Sequence, residues 1–244
     1  MSPPPPFLFT CEHASNRIPE LYQAIFQGRE VLLASHRGYD IGALELARRL
    51  AAEFGAPLIY SDISRLVVEL NRSIGHPKLF SEVTARLSPE ERQGLLDRCY
   101  RPHHRGVARV VSGLLAQGGG NGRGDQLLHV AAHSFTPALD GVPRNADVGL
   151  LYDPARPSER AFCAVWRDRL ADVAPGLAVR RNSPYRGASD GLTRILRAHH
   201  PDPAYIGVEL EANQRFYEHH EAWKHLGDVL AKSLRQAVAA FFSE

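Results

Sequence analysis

The stretch FLFTCEH, residues 7–13, indicates the fold class because a short apolar run ends there in polar residues. Such a run is typical of a strand buried on both faces of a sheet. Residues 40–55 follow with apolar side chains at helical spacing and a closing glycine, and APLIYSD at residues 56–62 predicts a second strand. A strand, a helix and another strand in this order indicate parallel pairing in an α/β fold.

The rest of the chain continues this alternation. Further strands are predicted at residues 64–72, 126–133, 148–152, 177–182 and 202–213. Further helices are predicted at residues 88–100, 157–173 and 218–242, with one more after Pro102 that ends near residue 117. Ser88 and Glu91 form a capping-box pair, and Pro102 is expected to separate two helices. The glycine-rich run at 118–126 is a predicted connecting loop, because a phosphate-binding loop would lead into a helix. We expect one domain, residues 1–244, folded as an α/β three-layer sandwich with a largely parallel or mixed central sheet.

Composition and charge favour a protein that acts on a small molecule. The chain is 44% hydrophobic and 23% charged, and its 29 basic and 27 acidic residues are interspersed, with a formal net charge of +2. No field of one sign is therefore expected to attract nucleic acid or anionic lipid. No apolar run is long enough for a membrane span, the start lacks the features of a secretory signal, and three scattered cysteines indicate a reducing compartment. These features predict a cytoplasmic location and no nucleic-acid or membrane partner, and they leave the oligomeric state open.

Several polar residues stand at the ends of predicted strands, where α/β proteins collect their active groups. His13 ends the first strand and His133 ends the strand at 126–133. Glu209 and Glu211 lie two residues apart on the last strand, so they point to the same face. Two like charges on a covered sheet are costly unless a cation, a proton or the strand end relieves them.

This pattern suggests a metal site. A catalytic zinc site takes three protein ligands from histidine and carboxylate and leaves a position for water. His13 and His133 supply two ligands. Asp40 leads for the third, although a carboxylate before a helix is also favoured without metal. The alternatives for the third ligand are His36, Glu12 and Cys11, and a purely structural use of these residues, including ion pairs with Arg72 or Arg194, stays open.

Six short blocks occur in this order across nearly the whole chain: CEHASNRIP, HRGYDIGALELA, SRLVVELNRS, RPHH, AAHSFTP and VELEANQRF. Together they resemble the N-formylglutamate amidohydrolase family, which is related to zinc carboxypeptidases and metal-dependent amidases. The resemblance implies a phosphorylase/hydrolase-like fold and one Zn²⁺, or another divalent ion, held by His13, Asp40 and His133. It also implies general acid–base work by a glutamate of the last strand, with Glu211 preferred over Glu209, and a supporting role for His104.

The substrate residues are predicted from two segments. Arg72 offers a planar charged fork that can hold a carboxylate by two hydrogen bonds, with Asn71 beside it, and the resemblance implies this role. An exposed arginine at a strand end is the structural alternative. Residues 180–194 form a candidate substrate loop with glycines that permit close approach. Its predicted contact residues are Asn182, Tyr185, Arg186 and Arg194.

The resemblance implies hydrolysis of the amide bond of an N-acyl amino acid such as N-formylglutamate, by a zinc-activated water with a glutamate base. Two departures leave the preferred acyl-amino acid open: Glu69 stands where aspartate is commoner, and CEHASN replaces a Pro-His-x-Gly opening. One alternative is an amidase for a different acyl-amino acid or a peptidoglycan fragment. A non-catalytic binding protein on the same fold is the other.

Overall fold

The computed structural model describes residues 5–118 and 126–242, and a six-stranded sheet lies at its centre. The strand order is β2-β1-β3-β8-β6-β7, and the pairs are parallel except for antiparallel β6 and β8. The prediction of a largely parallel or mixed sheet is therefore confirmed. The strands, including the separate β4–β5 hairpin, are β1 (Phe7–Cys11), β2 (Leu58–Tyr60), β3 (Leu127–Phe135), β4 (Ala138–Leu139), β5 (Val142–Pro143), β6 (Val148–Leu151), β7 (Val179–Arg181) and β8 (Tyr205–Asn213).

Helices cover both faces of this sheet. They are α1 (Glu30–Ala34), α2 (Ala43–Phe54), α3 (Pro89–Leu95), α4 (Arg101–Gly118), α5 (Pro157–Val173), α6 (Leu192–Arg197) and α7 (His220–Phe242). The largest hydrophobic core packs α2, α5 and α7 on one face, and a smaller core packs α4 and α6 on the other. The three-layer sandwich is thus confirmed. None of the described helices is long and apolar enough to cross a membrane.

The two central strands, β3 and β8, sort their side chains between these layers. Ile206, Val208 and Leu210 of β8 join the large core. The alternate positions of β8 point to the face of α4 and α6, since side chains alternate along a strand. The register pairs Ala131 with Glu209 and His133 with Glu211. Polar side chains of two adjacent strands therefore share one covered face.

The prediction of a strand at residues 64–72 is wrong. The segment is a series of turns. Its apolar side chains Leu66, Val67, Val68 and Leu70 are buried in a satellite core built from residues 18–100. The Ser81 hydroxyl donates a hydrogen bond of 2.6 Å to the Leu66 carbonyl, so backbone groups find partners outside any sheet. Burial of this apolar run by irregular structure overrides its strand propensity.

Pro102 does not separate two helices as expected. A π-helical turn at Leu96–Tyr100 joins α3 directly to α4. Proline lacks the N–H that an α-helix needs, and a π turn changes the hydrogen-bond register just before it. The capping box at Ser88 and Glu91 is confirmed, with both reciprocal bonds present. Residues 119–125 of the predicted glycine-rich loop lie outside the described residues.

Candidate metal centre

The ends of β1 and β3 and the start of α2 bring His13, Asp40 and His133 together. Asp40 Oδ2 lies 3.2 Å from Nδ1 of His13 and 2.9 Å from Nδ1 of His133. The Asp40 backbone N–H donates to the His13 carbonyl at 2.9 Å, which fixes the helix entrance beside the strand end. All three side chains are buried, and their ligand atoms lie within 4.8 Å of one another. Two imidazole nitrogens and a carboxylate oxygen thus face one point.

The opposite ring nitrogens of both histidines face carboxylates. The Nε2–H of His13 donates to Glu69, and Nε2 of His133 lies 3.2 Å from Glu12 Oε2. Histidines that ligate a metal usually present the other ring nitrogen to a carboxylate, carbonyl or water, which fixes the tautomer. Glu12, an alternative for the third ligand, therefore lies behind His133 rather than beside Asp40. His36, another alternative, is exposed and lines a neighbouring cavity.

Arg65 ties the carboxylates of this centre together. Its guanidinium lies 2.6 Å from Glu69 Oε2 and 3.2 Å from Asp40 Oδ1. Burial works to raise the pKa of Glu69, but Arg65 and His13 outweigh it and hold that pKa far below its usual range. Burial also works to raise the pKa of Asp40, but His13, His133 and Arg65 outweigh it and hold that pKa well below its usual range. Both carboxyl groups are therefore ionised.

The charge of the centre matches a divalent cation. Burial works to raise the pKa of Glu12, but the nearby polar ring nitrogen and charge of His133 outweigh it and lower that pKa to about 2. The centre then holds three ionised carboxylates, of Glu12, Asp40 and Glu69, and one permanent cation, Arg65, which contacts Asp40 and Glu69. Two negative charges remain whenever both histidines are neutral. A divalent ion, or one proton on each imidazole, would compensate them.

The donor set also fits a metal chemically. Two imidazoles and one carboxylate are a ligand set found in catalytic zinc sites, with room for a further ligand. Among the described residues, both oxygens of Glu12, Nε2 of His133 and Oε2 of Glu211 are buried without a hydrogen bond of normal geometry. Buried polar atoms rarely stay unpaired in a finished site. His13, Asp40 and His133, whose ligand atoms lie within 4.8 Å of one another, are the residues that could hold the ion.

Glu211 stands beside the centre on the face shared by β3 and β8. It is paired in register with His133, and its carboxyl is buried. Burial raises its pKa to about 8, with Asp40 and Glu209 adding to the rise and His133 opposing it. On its other side it is paired with Gly149 of β6, where an added Cβ would lie 3.1 Å from the Glu211 Cβ. Glycine at that position admits the close approach of the Ser183 backbone carbonyl oxygen, which an added Cβ would meet at 2.4 Å.

Glu209 and His104 are both engaged elsewhere. The Thr193 hydroxyl donates to Glu209 Oε1 at 2.6 Å. His104 Nε2 lies 2.9 Å from the Leu70 carbonyl, and its ring stacks on Tyr100 with centroids 4.0 Å apart. Burial lowers the pKa of His104 to about 4, so the ring is neutral and Nε2–H donates to Leu70. His104 thereby attaches the irregular segment at 64–72 to α4.

A sequence model of the N-formylglutamate amidohydrolases matches residues 5–218 of the chain. The chain belongs to this family. It is therefore an amidohydrolase of N-acyl amino acids, and its substrate is a small amino-acid derivative.

Two solved structures share the fold. The gene product Atu2144 from Agrobacterium tumefaciens is 30% identical, with a TM-score of 0.79 over 96% of this chain and 90% of that one. The N-formylglutamate amidohydrolase from Ralstonia eutropha JMP134 is 19% identical, with a TM-score of 0.69 over 95% of this chain and 92% of its own. A comparison with curated protein sequences gives no match.

A cavity of about 460 Å³ adjoins the metal centre of this amidohydrolase at Glu69 and Arg65. Tyr185, a predicted substrate residue, lines it and is 45% exposed. The Arg144 guanidinium donates to the Tyr185 hydroxyl at 3.0 Å and lies over its ring. The other polar and charged lining residues are His36, Arg37, Lys78, Ser81 and Glu82. Cations outnumber carboxylates in this lining, which suits an anionic substrate.

The other predicted substrate residues contact the protein itself. Asn71 Oδ1 accepts from the Leu192 N–H at 2.6 Å, and Arg72 Nη1 donates to the Asp190 carbonyl at 2.6 Å. Asn182 Oδ1 accepts from the backbone N–H groups of residues 152 and 187, at 3.0 Å each. These contacts hold the loop at 180–191 in place. Arg194 is exposed in a separate cleft beside Asp190, so the structure does not bring it to the cavity.

The roles of Arg65, Glu69 and Glu12 at the centre become visible only in the structure. Arg65 and Glu69 lie four residues apart in a segment predicted as a strand, and only their side-chain chemistry signalled an ion pair. Alternation along β1 turns Glu12 to the opposite face from its neighbour His13, and the structure places its Oε2 3.2 Å from Nε2 of His133. The sequence therefore does not predict that Glu69 pairs with His13 and that Glu12 pairs with His133.

Proposed function

We propose that the protein is a metal-dependent amidohydrolase that removes the acyl group from an N-formyl amino acid such as N-formylglutamate, with one Zn²⁺ held by His13, Asp40 and His133. The observation that carries the proposal is that both Nδ1 atoms meet Asp40 Oδ2 within 3.2 Å. Glu211 occupies the adjacent strand position. A ligand set and a candidate base thus border one space.

The bound cation would supply a Lewis acid that makes water more acidic and polarises the amide carbonyl. Glu211 accepts a proton from the attacking water through its free carboxylate oxygen and returns it to the leaving amine. The water oxygen bonds to the acyl carbon, the C–N bond breaks, and the products are formate and a free amino acid. Burial raises the pKa of Glu211 to about 8 in the metal-free protein, and a bound cation would lower it towards the working pH, where the group can take and return a proton.

Selection of a carboxylate-bearing substrate is assigned to arginine. Arg72 keeps its predicted role in this proposal, since the observed hydrogen bonds engage Nη1 and guanidinium carries further donors. Arg37 and Lys78 are additional candidates because they line the cavity beside Glu69. Three further points stay predictions. They are a single domain over residues 1–244, a cytoplasmic location, and substrate binding by Asn71, Asn182, Tyr185 and Arg194.

The test combines metal analysis with a panel of substrates. Purified protein is stripped of metal, reloaded with one equivalent of Zn²⁺, and assayed for formate release from N-formylglutamate, N-formylleucine and N-formyllysine. N-acetylglutamate and a muramyl peptide are assayed in parallel for amine release. We expect formate release to depend on metal and to be fastest with N-formylglutamate. Turnover of only the acetyl or muramyl compound would show that the enzyme is an amidase for a different acyl group. Bound metal without turnover of any compound would favour a binding protein.

A further inference from the structure

A half-buried arginine, Arg144, lies at the base of the β4–β5 hairpin, and the proposed chemistry makes no use of it. Its backbone N–H donates to the Pro137 carbonyl at 2.8 Å, across the hairpin. The Arg144 guanidinium lies over two aromatic rings, with Cζ 5.7 Å from the Phe135 centroid and 5.0 Å from the Tyr185 centroid. Its Nη1 donates to the Tyr185 hydroxyl at 3.0 Å. Backbone and side-chain contacts therefore fix the position of this guanidinium.

The charge of Arg144 forms no salt bridge among the described residues, and Nη1 is its one guanidinium nitrogen engaged there in a hydrogen bond. The other cations near the metal centre differ. Arg37 contacts both carboxylate oxygens of Glu82, at 2.8 and 2.9 Å, and Arg65 pairs with carboxylates of the centre. Lys78 is exposed, so water screens its charge. Arg144 thus combines a fixed position with unused N–H donors for an anion.

Both aromatic supports connect Arg144 with the proposed active site. Phe135 follows His133 by two residues on β3, so their side chains share a strand face and their Cα atoms are about 7 Å apart. Tyr185 lines the cavity of about 460 Å³ that adjoins the metal centre. Burial lowers the pKa of His36, another lining residue, and positive charges that include Arg144 lower it further. Arg144 therefore lies at the side of the cavity that the hairpin and Tyr185 form.

We propose that Arg144 is a specificity-determining residue that binds the side-chain carboxylate of an acidic N-acyl amino acid, with Phe135 and Tyr185 holding its guanidinium in place. The inference rests on the proposed function and deepens it, because it makes a dicarboxylate the preferred substrate class. Arg72 keeps its proposed role for one carboxylate, and Arg144 supplies donors for the second. A planar guanidinium can donate two parallel hydrogen bonds to a carboxylate, and a guanidinium that is already fixed loses less freedom on binding.

A structural use of the same contacts is the alternative, in which Arg144 only fastens the loop at 180–191 to the hairpin. Loss of the guanidinium would then impair the hydrolysis of every substrate alike. A loss confined to substrates with a charged side chain distinguishes recognition from fastening. N-formylglutamine is the suitable comparison, because it has the shape of N-formylglutamate without the side-chain charge.

The experiment measures kcat/KM of the metal-loaded enzyme for N-formylglutamate and N-formylglutamine. We expect the wild type to prefer N-formylglutamate at least about 10-fold, since charge-assisted hydrogen bonds to the side chain are involved. Arg144→Gln should abolish this preference, chiefly by raising KM for N-formylglutamate, and should lower kcat/KM for N-formylglutamine by no more than about threefold. Arg144→Lys retains the charge without the planar fork and should restore part of the preference.

Arg235→Gln is the matched control. Arg235 also lies over an aromatic ring, that of Phe54, but it pairs with Glu53 in a cavity beside the start of β1, at the opposite end of that strand from the metal centre. This variant should keep the wild-type preference for N-formylglutamate. Circular dichroism of each variant identifies loss of folding.

An equal loss for both substrates in Arg144→Gln, or an undiminished preference in that variant, would overturn the inference. So would a wild-type enzyme that hydrolyses the two compounds equally well, a result that needs no variant to fold and leaves deformylation itself intact. Absence of turnover for every formyl compound would instead refute the proposed function, and this inference with it.

Discussion

His133 and Glu211 are paired in register on the neighbouring strands β3 and β8. Paired residues on parallel strands point to the same face, and neighbouring strands lie about 4.8 Å apart. The proposed ligand and the proposed base are therefore held relative to each other by the hydrogen bonds of the sheet and not by a loop. Such rigid placement favours a productive geometry during catalysis.

Replacing Glu211 by glutamine should lower kcat by about 10²–10⁴-fold, because an amide cannot accept the proton of the attacking water. Metal content should stay at the wild-type value, since Glu211 is outside the three-ligand group. Glu209→Gln is the matched control, with Glu209 on the same strand face and hydrogen bonded by Thr193. The assignment fails if Glu209→Gln causes the greater loss in kcat or if Glu211→Gln is fully active.

Metal binding should release protons. Burial and Arg65 lower the pKa of His13, but Glu69 and Asp40 outweigh them and raise it above its ordinary value. Burial also lowers the pKa of His133, and Asp40 and Glu12 raise it well above normal. Below these raised values both rings are protonated in the metal-free protein, so a metal ion must displace their protons.

The apparent affinity for Zn²⁺ should therefore fall as the pH falls. With two histidines titrating, the limiting slope is about 100-fold for each pH unit. Calorimetric titrations of metal into the protein, in buffers of different ionisation enthalpy, should show protons released, with a number that rises towards two as the pH falls below the raised pKa values of both rings. An affinity that does not change between about pH 6 and pH 8 would argue against ligation by both imidazoles.

Glu69→Gln should weaken metal binding by about 10–100-fold, because the amide is uncharged and holds Nε2–H of His13 less strongly. The same change leaves the half-buried Arg65 with only Asp40 as a charged partner, so the free energy of unfolding should also decrease. Glu82→Gln serves as the control because Glu82 lines the same cavity and pairs with the exposed Arg37. Chelator competition and denaturant unfolding measure the two effects, and equal metal affinity in both variants would contradict the role of Glu69.

Arg72→Ala should raise KM for N-formylglutamate at least about 10-fold if the guanidinium binds the substrate carboxylate, since a lost charge-assisted bond costs about 1.5–3 kcal/mol. Asp190→Ala is the control: it removes the side chain that holds Ser73 but keeps the backbone carbonyl that Arg72 contacts. Asp190→Ala should change stability more than KM. An unchanged KM in Arg72→Ala would indicate that the cations of the cavity, and not Arg72, bind the substrate carboxylate.

The main strands and the two histidines of the centre could be predicted from local sequence. β1, β3 and β8 are short apolar runs that end in polar residues, and that pattern alone places His13 and His133 at strand ends. The strand alternation in β8 also predicts that Glu209 and Glu211 share a face. These features depend on a few neighbouring residues, so sequence periodicity captures them.

The rest of the centre depends on contacts between distant segments. Asp40 reaches the centre because its backbone bond to His13 brings the start of α2 to the end of β1. Arg65 and Glu69 reach the centre because the segment at 64–72 folds into turns against a satellite core, although its apolar residues resemble a strand. No local pattern contains that information.

The most direct test of the proposed metal centre is a crystal structure of the active enzyme with anomalous data collected on both sides of the zinc absorption edge. We expect one zinc peak about 2.0–2.2 Å from Nδ1 of His13, Nδ1 of His133 and a carboxylate oxygen of Asp40. A peak at a different set of residues, or an active enzyme in which both imidazoles still contact Asp40 with no ion between them, would contradict the account.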